Sequence, residues 1–305
     1  MTLSHLRVFC SVVEQGSFRA AARSLDTAQS TLTQAIQSLE SELGVTLFNR
    51  THQGISLTES GEKLLTRASS IVSDCDRVVQ DMQHLDSEPR GDIALGVTSE
   101  PLAQLLLPVL KPFMVRFPRV RVHVSSGSSQ MLLEKVRDGR LDFAVFPVAP
   151  QVDDADIDIE RLYRSAPGIL ARKGHPYAHA TSIRELADCE WIGIRRQNLV
   201  GGVENRLTSL FASQGLGAPK VVITAESLLE TLHMVSETDY LTLEPRVLVD
   251  LKLFSSSLIT IPVAESFNPR DICLVRRRSS PSTMVTQEMV TMLVSYARMT
   301  RRLGA

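Results

Sequence analysis

The chain has 305 residues, about twice a typical domain of roughly 150, and its 43% hydrophobic and 22% charged composition is that of a globular protein with two or three folded units, which excludes a disordered or collagen-like chain. No apolar run approaches the ~20 residues needed to cross a bilayer, and Met1–Arg7 leads into a polar helical pattern rather than a signal-peptide core, so the expected location is the cytoplasm, with no membrane partner. Lysine and arginine number 33 against 34 acidic residues, a net charge of −1, which excludes a polybasic nucleic-acid coat; affinity for DNA would have to come from a few placed residues multiplied by oligomerisation.

Leu3, Leu6, Phe9 and Val13 recur at helical spacing, and Gly16 ends the segment. Ser17 is a good N-cap for a short second helix, Phe18–Leu25, whose Ala20, Ala21 and Ala22 let another helix approach closely. Asp26-Thr27 makes a turn, with Thr27 as the expected N-cap of a third helix from about Ala28 to Leu43. Leu32, Ile36, Leu39 and Leu43 form its apolar stripe, while Gln29, Ser30, Thr31, Thr33, Gln34 and Gln37 supply short, uncharged hydrogen-bonding groups elsewhere on its surface. Such a face suits base edges in a major groove, because Gln bonds adenine bidentately and Ser or Thr reaches phosphates or thymine methyl groups. A polar face is also the default for any solvated helix. The next fifteen residues favour the first reading: Gly44 caps the helix, then Val45–Phe48 and Ile55–Thr58 read as two short strands around Thr51-His52-Gln53-Gly54. From such a wing Arg50 and His52 would reach the DNA backbone or the adjacent minor groove; Arg50 alone could equally be a surface ion-pair residue.

Leu64, Ala68, Ile71, Cys75, Val78, Met82 and Leu85 alternate spacings of four and three, an apolar seam of three heptads that needs a partner helix. Thr58 offers its N-cap, Pro89 closes it, and Asp74, Asp76, Arg77 and Asp81 flank it as on a solvated coiled coil. An apolar stripe can also pack within its own chain, but pairing between two chains is the expectation.

From Gly91 the pattern alternates strand and helix: Ile93–Val97, Pro101–Phe117, Val120–Ser125, Gln130–Arg137 and Asp142–Phe146 read as βαβαβ, which calls for a parallel sheet. A second set begins near Tyr163, with strands at Ile169–Ala171, Trp191–Ile194, Val221–Ala225 and Tyr240–Leu243 and helices near Val203–Ser213 and Ser227–Val235. A strand at Ile272–Arg276 and a helix at Val285–Met299 return to the first set, giving two doubly wound α/β lobes. Such lobes bind ligands outside the carboxyl ends of their strands, where helix N-termini favour anions. The candidates there are Thr98, Ser99, Ser128, Ser129, Phe146, Arg196, Asn198 and Ser227, although hydroxyls at such junctions are more often plain helix caps.

No GxSxG, HExxH, Walker loop or helix-opening GxGxxG is present, so an enzyme is not expected. Cys10, Cys75, Cys189 and Cys273 lack metal-ligand spacing, so neither a metal site nor a disulfide framework is expected. Cys189 and Cys273 have only Arg270 and the run Arg276-Arg277-Arg278 nearby to lower a thiol pKa, which argues against a redox pair.

The stretch Ser17–Leu25, then Gln29, Ile36, Leu39-Glu40, Glu42-Leu43-Gly44, Leu47–Arg50 and Leu57–Gly61, resembles the LysR-type transcriptional regulators. Pro108, Phe113, Phe117-Pro118, Gly139–Asp142 and His175-Pro176 are similar to effector-domain landmarks of the same family. The resemblance implies a winged helix-turn-helix over 1–58 that binds double-stranded promoter DNA at a dyad-symmetric site with a T-N11-A-type core. It further implies a dimerisation helix over 59–89 and an effector domain over 90–305 of the type 2 periplasmic-binding-protein kind. Lobe I would take about 90–162 and 266–305, and lobe II about 163–265. A dimer or tetramer, a small and often anionic co-inducer with no other cofactor, and contact with RNA polymerase in an activator are implied as well. The chain departs from the family at 28–34, where Ala-Gln-Ser-Thr-Leu-Thr-Gln replaces Ser-Gln-Pro-Ala-Leu-Ser-Arg, at Gln53 in place of a wing arginine, and at Thr238 and Tyr240 in place of two glycines. The alternative of another class is a cytoplasmic two-lobed solute-binding or enzymatic protein whose N-terminal head only assembles it.

Overall fold

A computed structural model describes residues 1–51, 54–83, 89–148, 155–194, 203–225, 227–267, 269–278 and 282–303. The head contains α1 (Leu3–Gln15), α2 (Phe18–Ser24), α3 (Gln29–Leu43) and a hairpin of β1 (Phe48–Thr51) with β2 (Gly54–Leu57). Gly16 turns the chain at φ 65°, and the Ser17 hydroxyl accepts from Ala20 N at 3.0 Å to start α2. Asp26, at φ 48°, makes the next turn, and the residue capping α3 is Ala28, with no side-chain bond, rather than Thr27. Leu32, Ile36 and Leu39 are buried, but Leu43 faces solvent in the last turn, so the apolar stripe is one residue shorter than its spacing predicts. The first wing strand begins at Phe48 instead of Val45. Val45 N bonds Glu40 O and Leu47 N bonds the Glu40 carboxylate at 2.7 Å, so 45–47 close the helix instead of pairing. The Phe48 ring then packs against Phe9 and Phe18.

The long helix α4 (Glu59–Gln83) starts where the Thr58 hydroxyl accepts from Gly61 N at 3.0 Å. Gly61 is required by close approach, since a Cβ there would lie 2.2 Å from the Leu47 carbonyl oxygen. The predicted seam divides in two. Leu64 and Ala68 pack into the head's own core with Leu6, Phe9, Leu65 and Val72, Ala68 fully buried and Leu64 partly so. The rest of the stripe faces solvent: Ile71, Val78, Val79 and Met82 are exposed, Met82 at 62%, with Cys75 half-buried. Leu85 lies outside the described residues.

Lobe I holds a five-stranded sheet in the order Arg119–Ser126 (β4), Arg90–Val97 (β3), Phe143–Val148 (β5), Arg270–Arg277 (β12) and Ile157–Ser165 (β6). Strands β3 (Arg90–Val97), β4 (Arg119–Ser126) and β5 (Phe143–Val148) run parallel, as expected, while β12 (Arg270–Arg277) is antiparallel to both β5 and β6 (Ile157–Ser165). Because β6 completes this sheet, lobe I extends to Ser165 and the chain first crosses at Ala166, a few residues later than the sequence pattern places it. The predicted helix Pro101–Phe117 is a single turn α5 (Ser99–Pro101), a π-helical segment Leu102–Leu106, then α6 (Leu107–Arg116); α7 (Ser129–Arg137) follows β4. Lobe II is built on β7 (Pro167–Arg172), flanked by antiparallel β10 (Thr242–Pro245) and β11 (Leu258–Ile261), with β8 (Glu190–Ile194) parallel to β9 (Lys220–Ala225) alongside. Helices α8 (Val203–Ser213) and α9 (Leu228–Glu237) cover it, and α10 (Met284–Leu303) returns to lobe I. Strands β6 and β11 have no counterpart among the elements expected from the sequence. No helix among the described residues is long and apolar enough to cross a membrane.

A second face of α4, carrying Ser70, Asp74 and Arg77, docks on lobe I. The Arg77 guanidinium, only 6% exposed, bonds Asp142 at 2.9 Å and Asp74 at 2.8 Å. Arg277 of β12 reaches back to Asp74 at 2.6 Å and to Ser70. Gly139 lets the helix come this close: its φ is +71°, and a Cβ there would stand 3.1 Å from Ser70 Cα.

Candidate DNA interface and ligand cleft

On α3 the helical period sets Ser30, Gln34 and Gln37 most nearly opposite the buried leucines and Ile36, with Thr31 on one flank and Gln29 and Thr33 on the other. All are exposed except Thr33, which is half-buried and donates its hydroxyl to Gln29 O at 2.9 Å. The apolar core of the head closes without any of them, so the amide and hydroxyl groups of the exposed residues face solvent. The head is not basic, with Arg7, Arg19, Arg23 and Arg50 against Glu14, Asp26, Glu40, Glu42 and Glu59, and Arg7 is already paired with Asp76. The charge of the head itself therefore offers little attraction for phosphate. The Arg50 backbone lies in β1; its side chain and all of His52 lie outside the described residues.

A cleft of about 770 Å³ opens between the lobes, and Thr98, Ser99, Ser128 and Ser227 line it together, from lobe I and lobe II. The Ser128 hydroxyl caps α7 by accepting from Met131 N at 3.3 Å, whereas Ser227 precedes α9 without a side-chain cap bond. The buried Thr98 hydroxyl has no hydrogen-bond partner among the described residues. Two predicted residues fall elsewhere. Ser129 does not line the cleft, and Phe146 is in the core with Leu132, Val136 and Cys273, because alternation along β5 turns its ring to the α7 side. Arg196 and Asn198 lie outside the described residues. Sequence reasoning missed the apolar wall: Leu102, Leu107, Met131, Leu229, Leu253 and Phe254 also line the cleft, with Leu107, Leu229 and Leu253 well exposed. The available signal was leucine on helix faces that the core pattern did not require.

Burial pushes the Cys273 thiol up to about 11 and raises that of Cys189 too, with Asp271 and Asp188 adding to the respective shifts. Arg276 and Arg278 pair with Asp158, so the arginine run is engaged in structure.

A winged helix-turn-helix with an open polar face, joined through one helix to a two-lobed cleft, defines a DNA-binding regulator with a small-molecule-binding domain. Residues 3–62 match the bacterial regulatory helix-turn-helix protein, lysR family, and residues 86–298 match the LysR substrate binding domain. The chain belongs to the LysR family of transcriptional regulators. It is 27% identical over 271 residues to the HTH-type transcriptional regulator GbpR of Azospirillum brasilense, which covers 88% of this chain and 78% of that protein. In structure it is similar to a full-length OxyR variant from Pseudomonas aeruginosa, with a TM-score of 0.72 at 21% identity over 98% of this chain and 95% of that one. It is also similar in fold to full-length CbnR in complex with its target DNA, with a TM-score of 0.70 at 17% identity over 98% and 99% of the two chains.

Proposed function

We propose that this protein is a cytoplasmic, oligomeric promoter-binding regulator, not an enzyme, that reads DNA through Gln29, Ser30, Thr31, Thr33, Gln34 and Gln37. Arg50 and His52 of the wing would add backbone or minor-groove contacts, and a small molecule in the interlobe cleft would switch the complex and, in an activator, its contact with RNA polymerase. The observation that carries the reading is the uncharged hydrogen-bonding face of α3, left open by a head whose core is complete without it. CbnR, which shares the fold, is seen on its target DNA.

The exposed stripe Ile71, Val78, Val79 and Met82 supports pairing of α4 with a second copy, shorter than the full seam and free of Leu64 and Ala68. Replacing Val78 and Met82 together with Glu is expected to convert the oligomer to monomer in sedimentation and to weaken DNA binding at least tenfold; an unchanged sedimentation profile would place the dimer contact elsewhere.

The cleft supports a ligand with an apolar body and a polar, anion-compatible end. The N-termini of α7 and α9 and the hydroxyls of Thr98, Ser99, Ser128 and Ser227 line the cleft together with leucines, Met131 and Phe254. A thermal-shift screen of aliphatic and aromatic carboxylates should therefore find a compound that raises Tm. Ser227→Leu, which removes no cap bond, should abolish that rise while leaving the ligand-free Tm in place. A rise that survives the substitution would put the ligand outside the cleft.

A further inference from the structure

A second cavity, of about 530 Å³, lies where the head, α4 and lobe I meet, and it shares no residue with the interlobe cleft. Its volume falls within the roughly 300–1,000 Å³ of small-molecule sites. Val13 and Glu14 of α1, Leu65 and Val72 of α4, and Ala94 and Arg140 of lobe I form its three walls. The hydroxyls of Ser69 and Ser73 on α4 line it too, with the Cys10 thiol 3.8 Å from Ser69 Oγ.

Six charged side chains face this space, and four of them are engaged by neighbours: Asp76 pairs with Arg7, Asp92 with Arg121 at 2.8 Å, and Arg77 with Asp142 at 2.9 Å. The remaining two have opposite signs. Glu14 is exposed and makes no ion pair among the described residues. Arg140 bonds Asp138 at 2.9 Å through one Nη, and its side chain is 48% exposed. Burial raises the Cys10 thiol pKa, opposed by the Ser69 hydrogen bond and the Arg140 charge and reinforced by Glu14, so both charges act on one sulfur.

We propose that this cavity is a second small-molecule site that takes an α-amino acid with an apolar side chain. The Arg140 guanidinium receives the carboxylate, Glu14 the ammonium, and Val13, Leu65, Val72 and Ala94 the side chain. A plain carboxylate leaves Glu14 unanswered and a plain amine leaves Arg140 so, whereas a zwitterion meets both. Because the walls come from three parts of the chain, the ligand holds the head against lobe I and stabilises the arrangement seen here by mass action.

The site stands apart from the cleft reading above, and the test keeps the two separate. The full chain is titrated calorimetrically with L-leucine, with isocaproate, which lacks the ammonium, and with leucinamide, which lacks the carboxylate. Leucine should bind about tenfold or more tightly than either analogue, as the loss of one charge-assisted hydrogen bond predicts. Glu14→Gln should erase the advantage of leucine over isocaproate and keep that over leucinamide; Arg140→Gln should do the reverse. Both side chains are exposed, so neither substitution opens the core. Ser227→Leu, in the interlobe cleft, should leave the three titrations unchanged. Bound leucine should also slow amide exchange at 10–14 and 139–142 together. No binding of leucine at millimolar concentration, equal affinity for the three compounds, an advantage that neither substitution erases, or loss of leucine binding in Ser227→Leu would overturn the proposal.

Discussion

Replacing Gln29 and Thr33 together with alanine is expected to abolish site-specific DNA binding while leaving the fold and the oligomer intact. Both residues sit on one flank of α3, Gln29 exposed and Thr33 half-buried with its hydroxyl donated to Gln29 O, and alanine is the better helix former at either position. A Gln in bidentate contact with a base is worth about 1–3 kcal/mol, and a Thr contact adds less, so the loss in specific affinity should be tens- to hundreds-fold. Because the head carries no net positive charge, nonspecific attraction cannot mask such a loss. The readouts are a footprint, a sedimentation profile and a melting curve on the same preparation. An unchanged footprint would remove α3 from the interface.

Arg77→Ala is expected to have the largest effect on the coupling of head to effector domain. The Arg77 guanidinium is buried between Asp142 and Asp74, and Asp142 is further held by Ala94 N at 2.7 Å. Removing the cation takes the Arg77 guanidinium from both Asp142 and Asp74, and breaking such a buried pair typically costs about 3–5 kcal/mol. Denaturant unfolding should register that loss. A cycle of Arg77→Ala, Asp142→Ala and both should be strongly non-additive, since the second substitution removes little once the first is made. In functional terms a small molecule bound in the cleft should no longer change the footprint, although DNA and ligand each still bind. Additive losses, or a ligand response that survives Arg77→Ala, would show that the junction does not transmit the signal.

Legibility in the sequence tracks the range of each interaction. Ser17, Gly16 and Gly44 act within one or two turns of chain, and their roles were readable; so was the αβ alternation that gives lobe I its parallel strands. The hydroxyls of Thr98, Ser99, Ser128 and Ser227 were found because strand-to-helix junctions place them at one end of a sheet by topology alone. Long-range partners were not readable. Nothing in the seam says that Leu64 and Ala68 are spent on α1, because that depends on where α1 lies across the helix. Gly139 and Asp142 stood out as landmarks, yet their work, admitting α4 and holding Arg77, involves residues more than sixty positions away in sequence. Phe146 was placed at the cleft because its strand ends there, and only the register of β5 shows which face its ring takes.

The most direct test of the central claim is a titration of the full-length protein on the intergenic DNA upstream of its own gene, at low and physiological salt, with and without the carboxylate panel. A discrete, dyad-symmetric footprint that outcompetes nonspecific DNA and shifts with one carboxylate is the predicted result. Binding no tighter than to nonspecific DNA at either salt, or a footprint indifferent to a compound that demonstrably occupies the cleft, would contradict it.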